Sequence, residues 1–136
     1  MAICVLDASV AIAALIQEDQ SDRARAILRD IIEGGAAVPP IWLFEVGNVL
    51  LLAERRRKLS ATARREHLED LSRLPIVVDH EAIGRAWNDT MILAARHDLT
   101  MYDGSYLELG LRRHLPLATF DAALQEAARS ANVTLL

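Results

Sequence analysis

The sequence has 136 residues, of which 52% are hydrophobic and 25% are charged, and its formal net charge at pH 7 is −4. These values are typical of a globular domain that buries a core, and they exclude an intrinsically disordered chain. The acidic balance also argues against a protein that coats nucleic acid through an overall basic surface.

The first apolar run and the cysteine content bear on where the protein works. The N-terminal apolar run is too short to span a bilayer, is interrupted by Asp7, and has no basic segment before it. The single cysteine, Cys4, cannot form an intrachain disulfide, which favours a reducing compartment. We therefore expect a cytoplasmic protein with no membrane segment. Because no repeat or linker interrupts the pattern, we expect one domain over residues 1–136.

The predicted elements alternate short apolar strands with helices. In chain order, the first half predicts a strand at 2–6, helices at 8–17 and 22–33, a strand at 36–38, and helices at 41–57 and from 61 to just before Pro75. The second half predicts a strand at 76–78, helices from 80 to about 97 and at 104–113, a strand at 116–120, a helix at 122–131 and a strand at 133–136. The expected N-caps are Ser21, Ser60, Asp79 and Asp103. This alternation predicts an α/β fold with a mainly parallel sheet.

Four acidic residues stand where predicted strands end or helices begin. Asp7 and Asp121 directly follow strands, whereas Glu45 and Asp103 lie in the first turns of helices. In an open parallel sheet, ligands bind beyond the carboxyl ends of the strands, so all four could converge on one rim. A structural alternative remains open for three of them, because Asp7, Asp103 and Asp121 could each be an N-cap.

Glu45 is the least expected of these residues, because it lies within IWLFEVGNVLLL, a pattern typical of a buried helix. An unpaired buried carboxylate is costly, although a narrow polar stripe shared with Asn48 would expose it instead. Two carboxylates about 5 Å apart repel by roughly 3 kcal/mol at an effective dielectric near 20. A cation would reverse that sign, and ligands that offer only oxygen suit Mg²⁺ or Mn²⁺.

With these residues identified, the sequence resembles the PIN-domain ribonucleases, specifically the VapC-type toxins of VapBC toxin–antitoxin pairs. The resemblance covers nearly the whole chain and rests on VLDASV, PPIWLFEVGNVL, LTMYDGSYLELG, and LPLATFDAALQEAA followed by VTLL. It implies a five-stranded parallel sheet between layers of helices, an α/β/α sandwich. Two departures are small: Gly104 stands where such toxins often carry alanine, and Phe120 is bulkier than expected.

The resemblance implies a set of site residues and a chemistry. The family's acidic quartet, both catalytic and metal-ligating, corresponds to Asp7, Glu45, Asp103 and Asp121, and the polar positions flanking it correspond to Ser9, Asn48 and Thr119. Mg²⁺ or Mn²⁺ held by the three aspartates, with Glu45 ligating directly or through water, would activate water for attack on an RNA phosphodiester. The resemblance also implies a VapB-like antitoxin as partner and a homodimer.

Surfaces for these partners are predicted less directly. The helices AIAALIQ and IWLFEVGNVLLL supply more apolar surface than one small core needs, so we expect the antitoxin to cover this region. The basic clusters at 55–58 and 112–113 are either solvated helix ends or distal RNA contacts. Tyr102 and Tyr106, which flank Asp103, are expected to pack in the core.

Two other functions stay open. One is a non-catalytic interaction module with the same fold, which the intact acidic residues disfavour. The other is a phosphotransfer protein that forms an aspartyl-phosphate. A haloacid-dehalogenase-like enzyme usually needs a second aspartate two residues after the nucleophile, where this chain has Ser9, and a response-regulator-like protein usually needs a late lysine, whereas the single lysine is Lys58.

Overall fold

The computed structural model describes residues 1–16 and 19–136. Its strands are β1 (Cys4–Leu6), β2 (Ala36–Val38), β3 (Ile76–Val78) and β4 (Leu117–Ala118). Within the described residues these four strands form one parallel sheet in the order β3-β2-β1-β4. The strands β1, β2 and β4 are buried throughout, which explains their continuous apolar sequences, because both faces of a parallel sheet are covered.

The helices are α1 (Ala8–Leu15), α2 (Ser21–Gly34), α3 (Ile41–Arg55), α4 (Ala61–Ser72), α5 (Glu81–Arg85), α6 (Met91–His97), α7 (Met101–Arg113) and α8 (Ala122–Ser130). The long helix predicted from residue 80 is interrupted, because a π-helical turn at Ala86–Thr90 joins α5 to α6. The predicted last residue of the first helix, Gln17, lies outside the described residues. None of the described helices is long and apolar enough to cross a membrane.

One expected helix cap, Ser60, and one cap that stayed open as an alternative, Asp121, are confirmed by their hydrogen bonds. The Ser60 hydroxyl accepts the backbone N–H of Ala63 at 3.0 Å. The Asp121 carboxylate accepts the N–H of Leu124 at 2.9 Å, so the residue that follows β4 does cap α8. Each cap satisfies a backbone donor that has no partner within the helix.

Two predicted caps are wrong in position. The N-cap of α2 is Gln20, and Ser21 is the first helical residue, whose hydroxyl donates to the carbonyl of Ile16 at 3.0 Å. Asp79 lies two residues before α5, one position outside the N-cap. Its carboxylate forms an ion pair with Arg112 and is also stabilised by the backbone N–H of Ala82.

The predicted fifth strand, residues 133–136, is reduced to one bridge. Leu135 pairs in parallel with Leu117 of β4, through bonds from the Leu117 N–H to the Thr134 carbonyl at 2.8 Å and from the Leu136 N–H to the Leu117 carbonyl at 3.0 Å. β4 is itself only two residues long, so it offers a short edge for pairing. The parallel α/β fold is confirmed, with four described strands and a bridge in place of five strands.

The core is one continuous apolar cluster that lies against the sheet. It combines β1, β2 and β4 with the inner faces of α1, α2, α3, α7 and α8. Among its largest fully buried side chains are Leu6, Ile31, Leu50 and Tyr106. This packing fixes the helix starts relative to the carboxyl ends of the strands, where the acidic residues lie.

Candidate active site

The pairing of β1 with β4 places Asp7 beside Thr119. Leu6 is in register with Ala118, so the residues that follow these two lie side by side at the carboxyl end of the sheet. The Asp7 N–H donates to the Ala118 carbonyl at 2.9 Å, and the Thr119 hydroxyl donates to Asp7 Oδ2 at 2.7 Å. The strand order reverses at β1, which has β2 on one side and β4 on the other. Such switch points are where open parallel sheets bind ligands.

Ser9 completes the support of Asp7 from the first turn of α1. Its hydroxyl donates to Asp7 Oδ2 at 2.6 Å and accepts the N–H of Phe120 at 3.0 Å. The Thr119 hydroxyl likewise accepts the N–H of Asp121 at 3.0 Å. Two hydroxyls therefore hold one oxygen of a carboxylate that is only 4% exposed, and they tie the loop after β4 to α1.

All four predicted acidic residues line a single pocket of about 820 Å³. They come from four elements: Asp7 from the end of β1, Glu45 from α3, Asp103 from α7 and Asp121 from the start of α8. Ser9 and Phe120 also line this pocket. The convergence that the strand ends suggested is therefore present in the tertiary structure.

Asn48, by contrast, lies on an exposed part of α3 and is not among the residues that line the pocket. Three positions along a helix rotate a side chain by about 60° and advance it by most of a turn. Glu45 and Asn48 have the spacing of a shared polar stripe, but only Glu45 lines the acidic pocket.

Asp103 is not the N-cap of α7, as its sequence position had suggested. The cap is Thr100, whose hydroxyl accepts the Asp103 N–H at 3.1 Å, and Asp103 is the third helical residue. The signal was present in the sequence, since Thr-x-x-acid is close to the pattern of a capping box. With capping done by Thr100, the Asp103 side chain lines the pocket.

Burial and neighbouring carboxylates raise the pKa values of Asp7, Glu45 and Asp103. Burial, followed by the charges of Asp121, Asp7 and Glu45, raises the pKa of Asp103 to about 6. Burial also raises the pKa of Asp7, with a smaller contribution from Asp121, against the lowering effect of the hydrogen bonds from Ser9 and Thr119. Burial raises the pKa of Glu45 as well, with the charge of Asp7 adding to it. The pocket is therefore a site of concentrated negative charge.

The donor set of the pocket fits a hard divalent cation. It offers carboxylate oxygens from five side chains, because Asp19 lines the pocket together with the four predicted residues, and a bound cation would convert their mutual repulsion into attraction. Within the described residues, no group of three or more His, Cys, Asp and Glu side chains is already placed to hold an ion. The carboxylates surround the pocket and affect one another electrostatically without forming a closed ligand cluster.

Tyr106 is a site residue that the sequence interpretation missed. The prediction that it packs in the core is confirmed, because it is fully buried. Its hydroxyl nevertheless donates to Glu45 Oε1 at 2.6 Å. The available signal was its spacing: Tyr106 follows Asp103 by three positions and so lies on the same helix face.

Arg112, predicted as either a solvated helix end or an RNA contact, is not a solvated helix end. Its guanidinium binds Glu108 at 2.8 and 3.0 Å and Glu81 at 3.3 Å, and it is also paired with Asp79. The side chain of Arg112 is 15% exposed. Burial raises the pKa of Asp79, but the hydrogen bond and charge of Arg112 outweigh this effect, so the pKa lies below its ordinary value. Arg112 therefore ties the end of α7 to the start of α5, while Arg113 is exposed.

A sequence profile of the PIN domain matches residues 4–130, and a comparison with curated proteins found no match. The fold is similar to PAE2754 from Pyrobaculum aerophilum, with a TM-score of 0.71, 22% identity, and coverage of 93% of this chain and 84% of that one. It is also similar to FitAcB from Neisseria gonorrhoeae, with a TM-score of 0.67, 19% identity, and coverage of 98% and 96%. VapBC2 from Rickettsia felis, bound to a DNA fragment from its promoter, gives a TM-score of 0.63, 16% identity, and coverage of 97% and 96%. At these identities the likeness shows a shared fold.

Proposed function

Because this chain belongs to the PIN domain family, we propose that it is a divalent-metal-dependent endoribonuclease of the VapC toxin type. PIN domains are generally nucleases. The observation that carries the proposal is the convergence of Asp7, Glu45, Asp103 and Asp121 on one pocket at the switch point of the sheet. We further propose that residues 1–136 act as one domain.

The proposed ligands of Mg²⁺ or Mn²⁺ are Asp7, Asp103 and Asp121, with Glu45 binding directly or through water. When bound, such a cation supplies positive charge at a phosphodiester and makes a water molecule more acidic. In the proposed reaction, a bond forms between a water oxygen and phosphorus as the bond from phosphorus to the leaving oxygen breaks. Asn48 is left out of this ligand set, because it does not line the pocket.

The chain's own residues prepare the pocket for this chemistry. Ser9 and Thr119 donate to the same oxygen of Asp7, and hydrogen bonds to the charged form favour a deprotonated carboxylate. The same two hydroxyls hold the backbone of Phe120 and Asp121, so the loop that supplies Asp121 is fixed relative to Asp7. The concentrated negative charge repels the phosphates of RNA. RNA binding at the pocket therefore requires a bound cation.

We propose a VapB-like antitoxin as the partner, supported by the shared fold with VapBC2 and FitAcB. The expected apolar surface survives on α3, where the exposed fractions of Leu43, Phe44 and Val49 are 53%, 72% and 40%. Val49 also lines the acidic pocket, so a segment docked on α3 could extend a basic side chain to the carboxylates. On α1, by contrast, Val10, Ala11 and Ile12 are buried.

We also propose a homodimer, on the strength of the family resemblance. Light scattering across a range of protein concentrations tests this directly. Trp87 is 87% exposed and Trp42 is 5% exposed, so dimerisation over the face that carries Trp87 would shift its fluorescence to shorter wavelength. A mass that stays at that of one chain at every concentration would overturn the homodimer.

The nuclease proposal is tested by incubating purified protein with total RNA, with and without EDTA. We expect cleavage in Mg²⁺ or Mn²⁺, its loss in EDTA, and its loss in Asp7→Asn. The matched control is Asp22→Asn, because the Asp22 side chain is fully exposed on α2. Cleavage that persists in EDTA and in Asp7→Asn would overturn the proposal. A protein that binds the antitoxin and never cleaves RNA would instead be the non-catalytic module.

The phosphotransfer alternative gains no support from the site. Lys58, the single lysine of the chain, lies exposed beyond the end of α3, and it does not line the acidic pocket. A response-regulator-like mechanism needs that charge next to the phosphorylated aspartate.

A further inference from the structure

The contact between α7 and α3 at the acidic pocket involves Tyr106 and Glu45. The Tyr106 hydroxyl donates to Glu45 Oε1 at 2.6 Å, and the two residues are 61 positions apart in the chain. The tyrosine is fully buried, whereas Glu45 is half-buried and lines the pocket. A hydroxyl anchored in the core therefore reaches the edge of the site.

Glu45 depends on this one contact. Within the described part of the chain, its carboxylate receives a side-chain hydrogen bond from Tyr106 and from no other residue. Asp7, by comparison, is held by both Ser9 and Thr119. Glutamate has one more rotatable bond than aspartate, so fixing its carboxylate costs more conformational entropy. Without Tyr106, Glu45 would have no described side chain to select its orientation.

The hydrogen bond also distinguishes the two oxygens of Glu45. Burial and the nearby charge of Asp7 raise the pKa of Tyr106 far above its ordinary value, so the phenol stays protonated and acts as a donor. Oε1 accepts the hydrogen bond from the phenol, while Oε2 has no side-chain donor among the described residues. Outer partners that orient metal-binding side chains in this way commonly matter 10–100-fold for metal affinity.

We propose that Tyr106 is a positioning residue for Glu45, whose Oε1 it holds from the core so that Oε2 is left for a divalent cation. This inference rests on the proposed metal-dependent function. It also gives α7 two tasks at the site: Asp103 lines the pocket directly, and Tyr106, three positions later, fixes a carboxylate of another helix. The aromatic ring contributes to the core, and the hydroxyl contributes to the site.

The test is calorimetric titration of Mn²⁺ into the wild type, Tyr106→Phe and Tyr102→Phe. Tyr102 is the matched control, because it lies on the same helix next to Asp103 but is 58% exposed. We expect Tyr106→Phe to raise the Kd for Mn²⁺ about tenfold and Tyr102→Phe to leave it within about twofold. Melting of the metal-free proteins checks that both variants are folded.

The background of Glu45→Gln separates positioning from packing. The glutamine still accepts from Tyr106 but brings no charge, and three aspartates remain to bind Mn²⁺ at higher concentration. If Tyr106 acts through Glu45, adding Tyr106→Phe to this background should change the Kd by less than about threefold. A loss of the same size in both backgrounds would show that Tyr106 acts through the packing of α7, and the proposal would be overturned.

If Tyr106→Phe fails to fold, a measurement on the unmodified chain still tests the proposal. The chain has two tyrosines, so tyrosine labelled with carbon-13 at Cζ gives two NMR signals. Adding Mg²⁺ should shift the Tyr106 signal, because a cation on Glu45 weakens its hold on the phenol, and should leave Tyr102 unchanged. An unmoved Tyr106 signal at saturating Mg²⁺ overturns the positioning role. A wild type that binds neither metal overturns the metal-dependent function, and the Tyr106 proposal falls with it.

Discussion

Thr100, rather than Asp103, caps α7: its hydroxyl accepts the Asp103 backbone N–H at 3.1 Å. One hydrogen bond thus joins a residue that stabilises the helix start to a residue whose side chain lines the acidic pocket. The two roles that the sequence allowed for Asp103 are divided between neighbours, so mutation can separate them.

Asp103→Asn should reduce RNA cleavage by roughly 100-fold or more, the scale on which removal of one electrostatic group from an active site acts. It should also shrink the rise in Tm that Mn²⁺ produces, because a ligand stabilises only the state that binds it. Thr100→Ala should affect stability and leave metal binding intact. Loss of its cap should lower the Tm by an amount equivalent to about 1 kcal/mol and keep the response to Mn²⁺. An Asp103→Asn protein that cuts RNA normally would rule out Asp103 as a ligand.

The pKa of Asp103, about 6 in the folded protein, predicts how metal-free stability depends on pH. Because this pKa is raised above its unfolded value near 4, the folded state binds the proton more tightly, and the stability from Asp103 is lost as pH rises from about 4 to 6. In EDTA, Asp103→Asn and the wild type should melt alike at pH 4, and the variant should melt higher at pH 7. A difference in Tm that does not change over this range would contradict the mutual repulsion of the carboxylates.

The close approach of α6 and α7 explains why residue 104 is a glycine. A Cβ at this position would lie 3.1 Å from Ala94 Cβ and 3.4 Å from the Thr90 carbonyl, which is tighter than ordinary contact. At Gly47, in the interior of α3, a Cβ would meet nothing within 4 Å.

Gly47→Ala should therefore stabilise the protein by about 0.5–1 kcal/mol through helix propensity alone. Gly104→Ala should gain clearly less, or lose stability, because α6 and α7 must move apart by a few tenths of an ångström. Urea unfolding of both variants measures the difference. Equal gains would mean that the two helices adjust freely, and that Gly104 does not set their approach.

Arg112 should matter for stability and not for RNA. Glu108 and Asp79 are 3% and 8% exposed, so Arg112→Met leaves buried charges uncompensated and should cost about 3 kcal/mol or more. Arg113→Met, at an exposed position next to it, should change stability by less than about 0.5 kcal/mol. Chemical denaturation measures both. A stable Arg112→Met protein whose RNA binding loses part of its salt dependence would restore the RNA-contact hypothesis for this residue.

The proposed antitoxin surface predicts a local effect at Phe44. Phe44→Arg should weaken the complex with the cognate antitoxin by roughly 30-fold, as expected for an interface residue worth about 2 kcal/mol. Ile83→Arg, an exposed apolar residue of α5 at 69% exposure, is the control and should leave the affinity unchanged. Surface plasmon resonance of the two variants checks the placement. If the control weakens binding and Phe44→Arg does not, the antitoxin covers the other face.

The sequence alone determined the order and type of most elements, because strand and helix periodicity and local caps act over a few residues. Ser60 forms the cap that its position predicted, and Asp121 forms the cap that its position allowed. The acidic positions at strand ends were also visible, since a parallel sheet collects its carboxyl ends on one edge. What this reasoning identified was the set of carboxylates and the edge at which they meet.

Tertiary structure decided which partner each polar side chain takes, because those partners lie far apart in the chain. The Asp79 carboxylate pairs with Arg112, 33 positions away, and the Tyr106 hydroxyl donates to Glu45, 61 positions away. It also decided that the last predicted strand makes one bridge, since β4 offers it only a short edge. Local patterns fix what each segment is, whereas burial and charge pairing across the fold fix what each side chain contacts.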